Sequence, residues 1–354
     1  MGGKYRVRAV QIQSFNGPEG LRIVTVSEPH AAPGEVLIKV AYCGVNPVDR
    51  SQATGRWPWL PLPHTPGSEI AGTIAELGPG VSGLQLGQPV AIAFRVFCGR
   101  CTACLEGADE ACNADPHSAE APIMIGLPGN GGYAEYVTVP ATNAIPLPNT
   151  LSLADACVAT LDGVTAWHEI ERARLHVGER ALVTGATGGL GTFFIQMAHQ
   201  RGAIVYALTG KPEMASKLRN LGAQEVIIRG QENLPDRILQ FTQGQGVNVV
   251  LDSLGGTMIP TALACLAPRG RLAYCGILTG ATTEINLATF YTKQLELIGS
   301  TGGSRKDLQQ ILNAIAQKKI TTNIWRQYSL EEASAAIQAL NDPARFGKII
   351  LAIS

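Results

Sequence analysis

No stretch of this 354-residue chain approaches the roughly twenty consecutive apolar residues that a membrane-spanning helix requires. Its opening, MGGKYRVRAVQIQSF, lacks the apolar core of a secretory signal. An excess of either charge is also missing: 28 Lys and Arg face 28 Asp and Glu, with no long block of one sign. That balance favours neither a nucleic-acid partner nor an anionic membrane surface. Internal repeats and low-complexity segments are lacking too. A soluble cytoplasmic protein, with no nucleic acid and no membrane among its partners, is the expectation.

What is present is length enough for two domains, each of about 100–200 residues. The first third is β-like. Residues 7–45 alternate short β-type runs (VRAVQI, LRIVTV, EVLIKVAYCGV) with turns and show no convincing helix. Residues 57–67 are too proline-rich for helix or central strand and predict a loop. Strands are expected at 69–77, 88–97 and 132–140. From about Leu151 the composition turns helical, at 154–158 and 164–174, and a βα alternation follows. It runs through strands near 225–228, 247–252 and 270–276, with a helix at 257–266. Such alternation implies a parallel sheet covered on both faces. Amphipathic helices at 306–317 and 330–340 and a strand at 347–353 end the chain, and this last stretch is expected to return to the first domain.

The chain is organised around RALVTGATGGLGTFFIQMAHQRGAIVYALTGK, residues 180–211. It reads as strand, glycine turn, helix and second strand. A diphosphate binds where free backbone N–H groups meet the positive end of a helix dipole, and only glycine lets the backbone come close enough. Thr184, Gly185, Gly188, Gly189, Leu190 and Gly191 are the candidate cofactor residues of that turn. Against G-x-G-x-x-G the register is Ala186-x-Gly188-x-x-Gly191, so alanine stands at the first glycine. An NAD-preferring unit places an acid about 20 residues beyond the glycines, at the end of the second strand. Thr209-Gly210-Lys211 stand there instead, which suits a 2′-phosphate and predicts NADPH. The alternative is a solvated Lys211 and an indifferent site.

Four of the eight cysteines cluster, as Cys98-x2-Cys101-x2-Cys104-x7-Cys112, and the others are scattered. This pattern fits one thiolate site better than a secreted disulfide framework. Four thiolates so close together can surround one tetrahedral Zn²⁺ and leave no position open, so one structural Zn²⁺ is expected. Four unmetallated thiols are the alternative.

Together these features resemble the medium-chain dehydrogenase/reductase superfamily over nearly the whole chain. Gly44-Val-Asn-Pro-Val-Asp49, Pro66-Gly-Ser-Glu69, Thr165-Ala-Trp-His168, the turn 185–191, Asp252-Ser-Leu-Gly-Gly256 and Phe346-Gly-Lys-Ile-Ile-Leu351 are similar to its quinone oxidoreductase branch. The cysteine cluster is similar to the structural zinc lobe of the alcohol dehydrogenase branch. The resemblance implies an α/β protein with a GroES-like β-rich catalytic domain at 1–150, a return segment at about 290–354, and a Rossmann doubly wound parallel sheet domain at 151–289. It also implies an active site in the cleft between them and a homodimer or homotetramer joined through the Rossmann edge. Thr165 and Gly276 enter the cofactor set through the resemblance alone.

The same resemblance bears on a catalytic zinc. The three ligand places of zinc alcohol dehydrogenases fall here on Asn46, on Ser68-Glu69 and at about Leu161, of which only Glu69 offers a suitable donor. Oxidising an unactivated alcohol without a Lewis acid is hard, whereas a quinone or an unsaturated carbonyl accepts hydride readily. The expectation is therefore an NADPH-dependent reductase of quinones or activated C=C bonds. Asn46 is the implied catalytic polar group, with Ser51 a second candidate; Asn46 before Pro47 reads equally as a turn residue. The rival readings are a zinc alcohol dehydrogenase with unusual ligands and an NADPH-binding protein without turnover.

Overall fold

The structure, a computed structural model, describes residues 6–112 and 123–353. They fall into two compact units, one running to Leu161 and resuming at Ser304, the other spanning Asp162–Gly303. The protein is α/β, a β-rich unit and a unit built on one doubly wound parallel sheet.

In the first unit the long strand Glu35–Val45 is the hub. It pairs antiparallel with Glu69–Leu77, with Lys348–Ala352 and with Tyr136–Pro140. Outward from these the sheet continues through Pro89–Ile92 and Ala144–Pro146 on one side, and through Ile324–Ser329, parallel to Lys348–Ala352, on the other. A hairpin of Arg6–Ile12 and Leu21–Ser27 lies outside it. Val36, Ile38, Val40, Ile70, Ile349 and Leu351 supply β-branched and leucine side chains to one buried core. The expected strand at 88–97 is shorter, ending at Ile92, because the chain then turns towards the cysteine lobe.

Just beyond the β-like stretch 7–45 stands a short helix, Pro47–Ala53. Asn-Pro reads as a turn, yet Pro at the first helical position costs no hydrogen bond and presets φ. The Asp49 side chain then accepts the Asn46 N–H, closing the first turn. Residues 54–68 form loop and turns, as their prolines dictate.

The second unit holds one parallel sheet in the order Ala223–Ile228, Ile204–Thr209, Arg180–Val183, Val247–Asp252, Leu266–Tyr274, Glu296–Gly299. In chain order this is 3-2-1-4-5-6, the doubly wound arrangement whose ligand site lies at the carboxyl ends of the strands where the order reverses. Helix Gly189–Gln200 follows the first strand directly, burying Phe193, Phe194, Ile195 and Met197. Among the described residues no helix is long and apolar enough to cross a membrane.

Candidate active site, nucleotide turn and metal centre

In the first unit three neighbouring strand ends bring Asn46, Glu69 and Lys348 together. Gly44 stands opposite Glu69, and Val45 opposite Ile349, so the next residues on each strand meet. Lys348 Nζ makes an ion pair with Glu69 Oε2 and donates to Asn46 Oδ1 at 2.6 Å. Asn46 Nδ2 donates to the same Glu69 oxygen at 2.9 Å. All three are buried, at 2%, 0% and 2% exposure. The Glu69 carboxylate fits only because residue 44 is glycine; a Cβ there would overlap it. The peptide oxygen of Glu69 accepts the Cys157 thiol at 3.2 Å. Beside this network Asp49 takes the Tyr133 hydroxyl at 3.2 Å, and burial pushes its carboxyl up to about 6. Ser51 lies half-buried on the same helix, its carbonyl accepting the Arg56 N–H at 3.0 Å.

This donor set does not fit a catalytic zinc. Such a site needs about three N, S or carboxylate donors around an open position. An amide stands first, Ser68 second, and Glu69 is already neutralised by an ammonium group. His64 is held elsewhere, its Nε2 2.9 Å from the Gly126 carbonyl and 3.1 Å from Gln52 Oε1. Burial raises the Cys43 thiol well above its ordinary range.

Among the described residues, one group of acidic, His or Cys side chains is close enough for a metal: Cys98, Cys101, Cys104 and Cys112, whose sulfurs all lie within 4.8 Å of one another. Backbone N–H groups already point at them. Arg100 and Cys101 donate to Cys98 Sγ at 3.4 and 3.3 Å, drawing that thiol down to about 6, and Cys98 N donates to Cys112 Sγ at 3.3 Å. Burial instead pushes Cys104 up to about 12. The nearby Arg95 guanidinium is 7% exposed, donates to the Glu110 carbonyl at 2.9 Å, and has Nε and Nη1 without a partner among the described residues. A buried cation of this kind suits a neighbouring tetrathiolate that carries net negative charge around Zn²⁺.

In the second unit Thr184, Gly185 and Gly188–Gly191 form one turn at the carboxyl end of Arg180–Val183. Gly188 caps the helix, and its N–H donates to the Gly185 carbonyl at 3.0 Å. Gly185 has φ +59°, and a Cβ there would meet the Ser253 hydroxyl. Leu190 and Gly191 sit in the first helical turn. On the adjacent strand end Thr209 Oγ1 accepts the Lys211 N–H at 3.0 Å. The Arg229 N–H donates to the Thr209 carbonyl at 2.8 Å, and its guanidinium lies beside Gly210. Arg229 was missed from sequence, although the signal was there: a basic residue directly after the apolar strand AQEVII. Gly276 follows Leu266–Tyr274 at the same edge of the sheet and packs on the Ser253 carbonyl. Thr165 is buried in helix Val164–Arg172.

The second unit has the doubly wound sheet of dinucleotide-binding folds, and comparison with known proteins gives the family. Residues 32–149 match the alcohol dehydrogenase GroES-like domain and residues 189–317 the zinc-binding dehydrogenase domain. The chain is 30% identical to an NAD-dependent alcohol dehydrogenase of Sulfolobus acidocaldarius, over 98% of this chain and 100% of that protein. It is also 30% identical to a quinone oxidoreductase of Rattus norvegicus, covering 99% and 98%. A thermostable alcohol dehydrogenase from Pyrobaculum aerophilum superposes with a TM-score of 0.90 at 35% identity, covering 98% and 100%. The chain belongs to the medium-chain dehydrogenase/reductase superfamily and is an oxidoreductase.

Proposed function

We propose that this oxidoreductase uses NADPH to reduce a quinone or an activated C=C bond of an unsaturated carbonyl compound, without a catalytic zinc. The observation that carries the reading is the Lys348–Glu69–Asn46 network. A buried ammonium, a carboxylate and an amide saturate one another where an alcohol dehydrogenase would hold a metal. Without a Lewis acid, the favoured acceptor is one already electrophilic at carbon, whose oxygen takes up the developing charge. NADPH, when bound, supplies the hydride. Asn46 is the polar group proposed to orient the acceptor, held in place by Glu69 and Lys348, with Ser51 the second candidate on the same helix.

For the cofactor, the turn Thr184–Gly191 is proposed to take the diphosphate at the start of helix Gly189–Gln200. Thr165 and Gly276 complete the set. Lys211, Thr209 and Arg229 are proposed to take the 2′-phosphate: two cations and a hydroxyl stand there, with Glu213 the first acid to follow. Cys98, Cys101, Cys104 and Cys112 are proposed to hold one structural Zn²⁺. The functional unit is proposed to be a homo-oligomer formed through the Glu296–Gly299 edge strand of the Rossmann sheet, and Leu278, Leu287 and Tyr291 in the segment before that strand are exposed.

The test is NADPH and NADH oxidation against a panel of quinones, enones and aldehydes. Turnover of quinones or enones with NADPH is expected, and Lys211→Ala with Arg229→Ala should weaken NADPH about 10- to 100-fold while sparing NADH. Zinc-dependent alcohol oxidation, or tighter binding of NADH than of NADPH, would overturn the respective half of the reading.

A further inference from the structure

Beneath the glycine turn lies a pair of buried carboxyl groups that the proposed reaction does not use. Glu169, on helix Val164–Arg172, is 0% exposed, and its Oε1 accepts the Asp252 N–H at 3.1 Å. The Asp252 side chain is fully engaged as an acceptor. One oxygen takes the Thr184 hydroxyl and the other the Gly255 N–H at 2.6 Å. Thr184 opens the glycine turn, and the Ser253 hydroxyl donates to the Thr184 carbonyl at 3.4 Å. Asp252 therefore braces the turn from below in its ionised, acceptor-only form. Among the described residues no N–H or O–H group donates to Glu169 Oε2, and the one further donor to this carboxyl is the weak Cys275 thiol.

The groups that face Glu169 leave no room for a second negative charge. From strand Val247–Asp252 comes the Asp252 carboxylate, and from the end of Leu266–Tyr274 comes the Cys275 thiol, whose own surroundings include Asp162. None of the charged groups acting on Glu169 is a cation. Burial first, and the Asp252 charge in addition, push the Glu169 carboxyl up to about 8. A buried carboxyl whose second oxygen is served by no more than a weak thiol donor costs little when it carries a proton and a great deal when it carries a charge.

We propose that Glu169 is a positioning residue that must hold a proton for the dinucleotide to bind. Protonated, it leaves Asp252 as the single charge under the turn, aligned with its two donors. Ionised, it sets two carboxylates against each other directly below the strand ends that receive a diphosphate dianion. This rests on the reading of Thr184–Gly191 as the dinucleotide turn. The sign follows from linkage: the form that binds holds the proton, so binding is intact below about pH 8 and falls as pH rises through that value.

The experiment is a fluorescence titration of the full chain with NADPH from about pH 7 to 9.5, where the 2′-phosphate, with its second pKa near about 6, stays ionised. For the wild type the dissociation constant is expected to be flat to about pH 8 and then to rise by up to about tenfold per unit. Glu169→Gln, which keeps the shape and cannot ionise, should bind with a flat profile throughout. A flat wild-type profile overturns the proposal whether or not the variant folds, and so does an equal rise in both proteins. Failure of the wild type to bind either NADPH or NADH at neutral pH would instead strike the dinucleotide reading itself, and this inference with it.

Discussion

Lys348 is the residue on which the first unit's site turns. The residue is 2% exposed, and its ammonium group is the charge that offsets Glu69, which is wholly buried. Removing one partner of a buried pair leaves an uncompensated charge and costs about 3–5 kcal/mol. Lys348→Met should therefore lower stability to urea by that amount, and the Lys348→Met/Glu69→Gln double variant should recover much of the loss. Equal stability of the single variant and the wild type would show that the pair is not the ionic anchor described. At this scale the sequence was half legible. Asn46, Glu69 and Lys348 each stood in a quoted motif, but Lys348 was given no role as the partner of the other two, because it lies far away in the chain. Its signal was a lone lysine opening an apolar strand, KIILA, where a charge has to be either exposed or paired. The same limit hid Glu169, a glutamate on an amphipathic helix that reads as solvated until the helix is placed.

The elements that could be read in advance were those whose identity is local. Glu35–Val45, Glu69–Leu77 and Val247–Asp252 are runs of β-branched and apolar residues bounded by turns, and they emerge with the expected limits. Short amphiphilic pieces such as Ala215–Asn220 and the edge strand Glu296–Gly299 were invisible, since tertiary packing and not local propensity decides them. The cysteine lobe is a third case: its spacing was legible, and the sulfurs do converge, while the Arg95 side chain behind them could not be foreseen. The segment Cys98–Cys112 carries only short helical turns and little apolar burial of its own. A metal should hold it. Elemental analysis is expected to give about one zinc per chain. Chelation under reducing conditions should open this lobe to proteolysis while NADPH binding by the second unit persists. A native protein free of zinc yet resistant to protease would end that account.

On the scale of the whole molecule, a group of exposed apolar residues lies in the segment that leads into the edge strand Glu296–Gly299. Helix Leu287–Thr292 has no buried residue, and Leu278, Leu287 and Tyr291 are 54%, 72% and 74% exposed. An edge strand that follows such a surface in the chain, paired on one side among the described residues, invites association. Light scattering should find an oligomer, and Leu287→Glu combined with Tyr291→Glu should shift it towards monomer without unfolding the chain. A wild type that stays monomeric at micromolar concentration would remove the oligomer from the functional unit.

The interrupted first unit has a further consequence, for synthesis. The second unit is one continuous segment and can close on itself as soon as it leaves the ribosome, since domains fold as units in the order they emerge. The first unit cannot. Its hub strand, Glu35–Val45, waits for Lys348–Ala352, and until that strand is made Glu69 has no counter-ion. The nascent chain therefore carries the Tyr42–Val45 end of its hub strand open until a segment some three hundred residues later has been made, so the ion pair at Glu69 is among the last contacts of this unit to form.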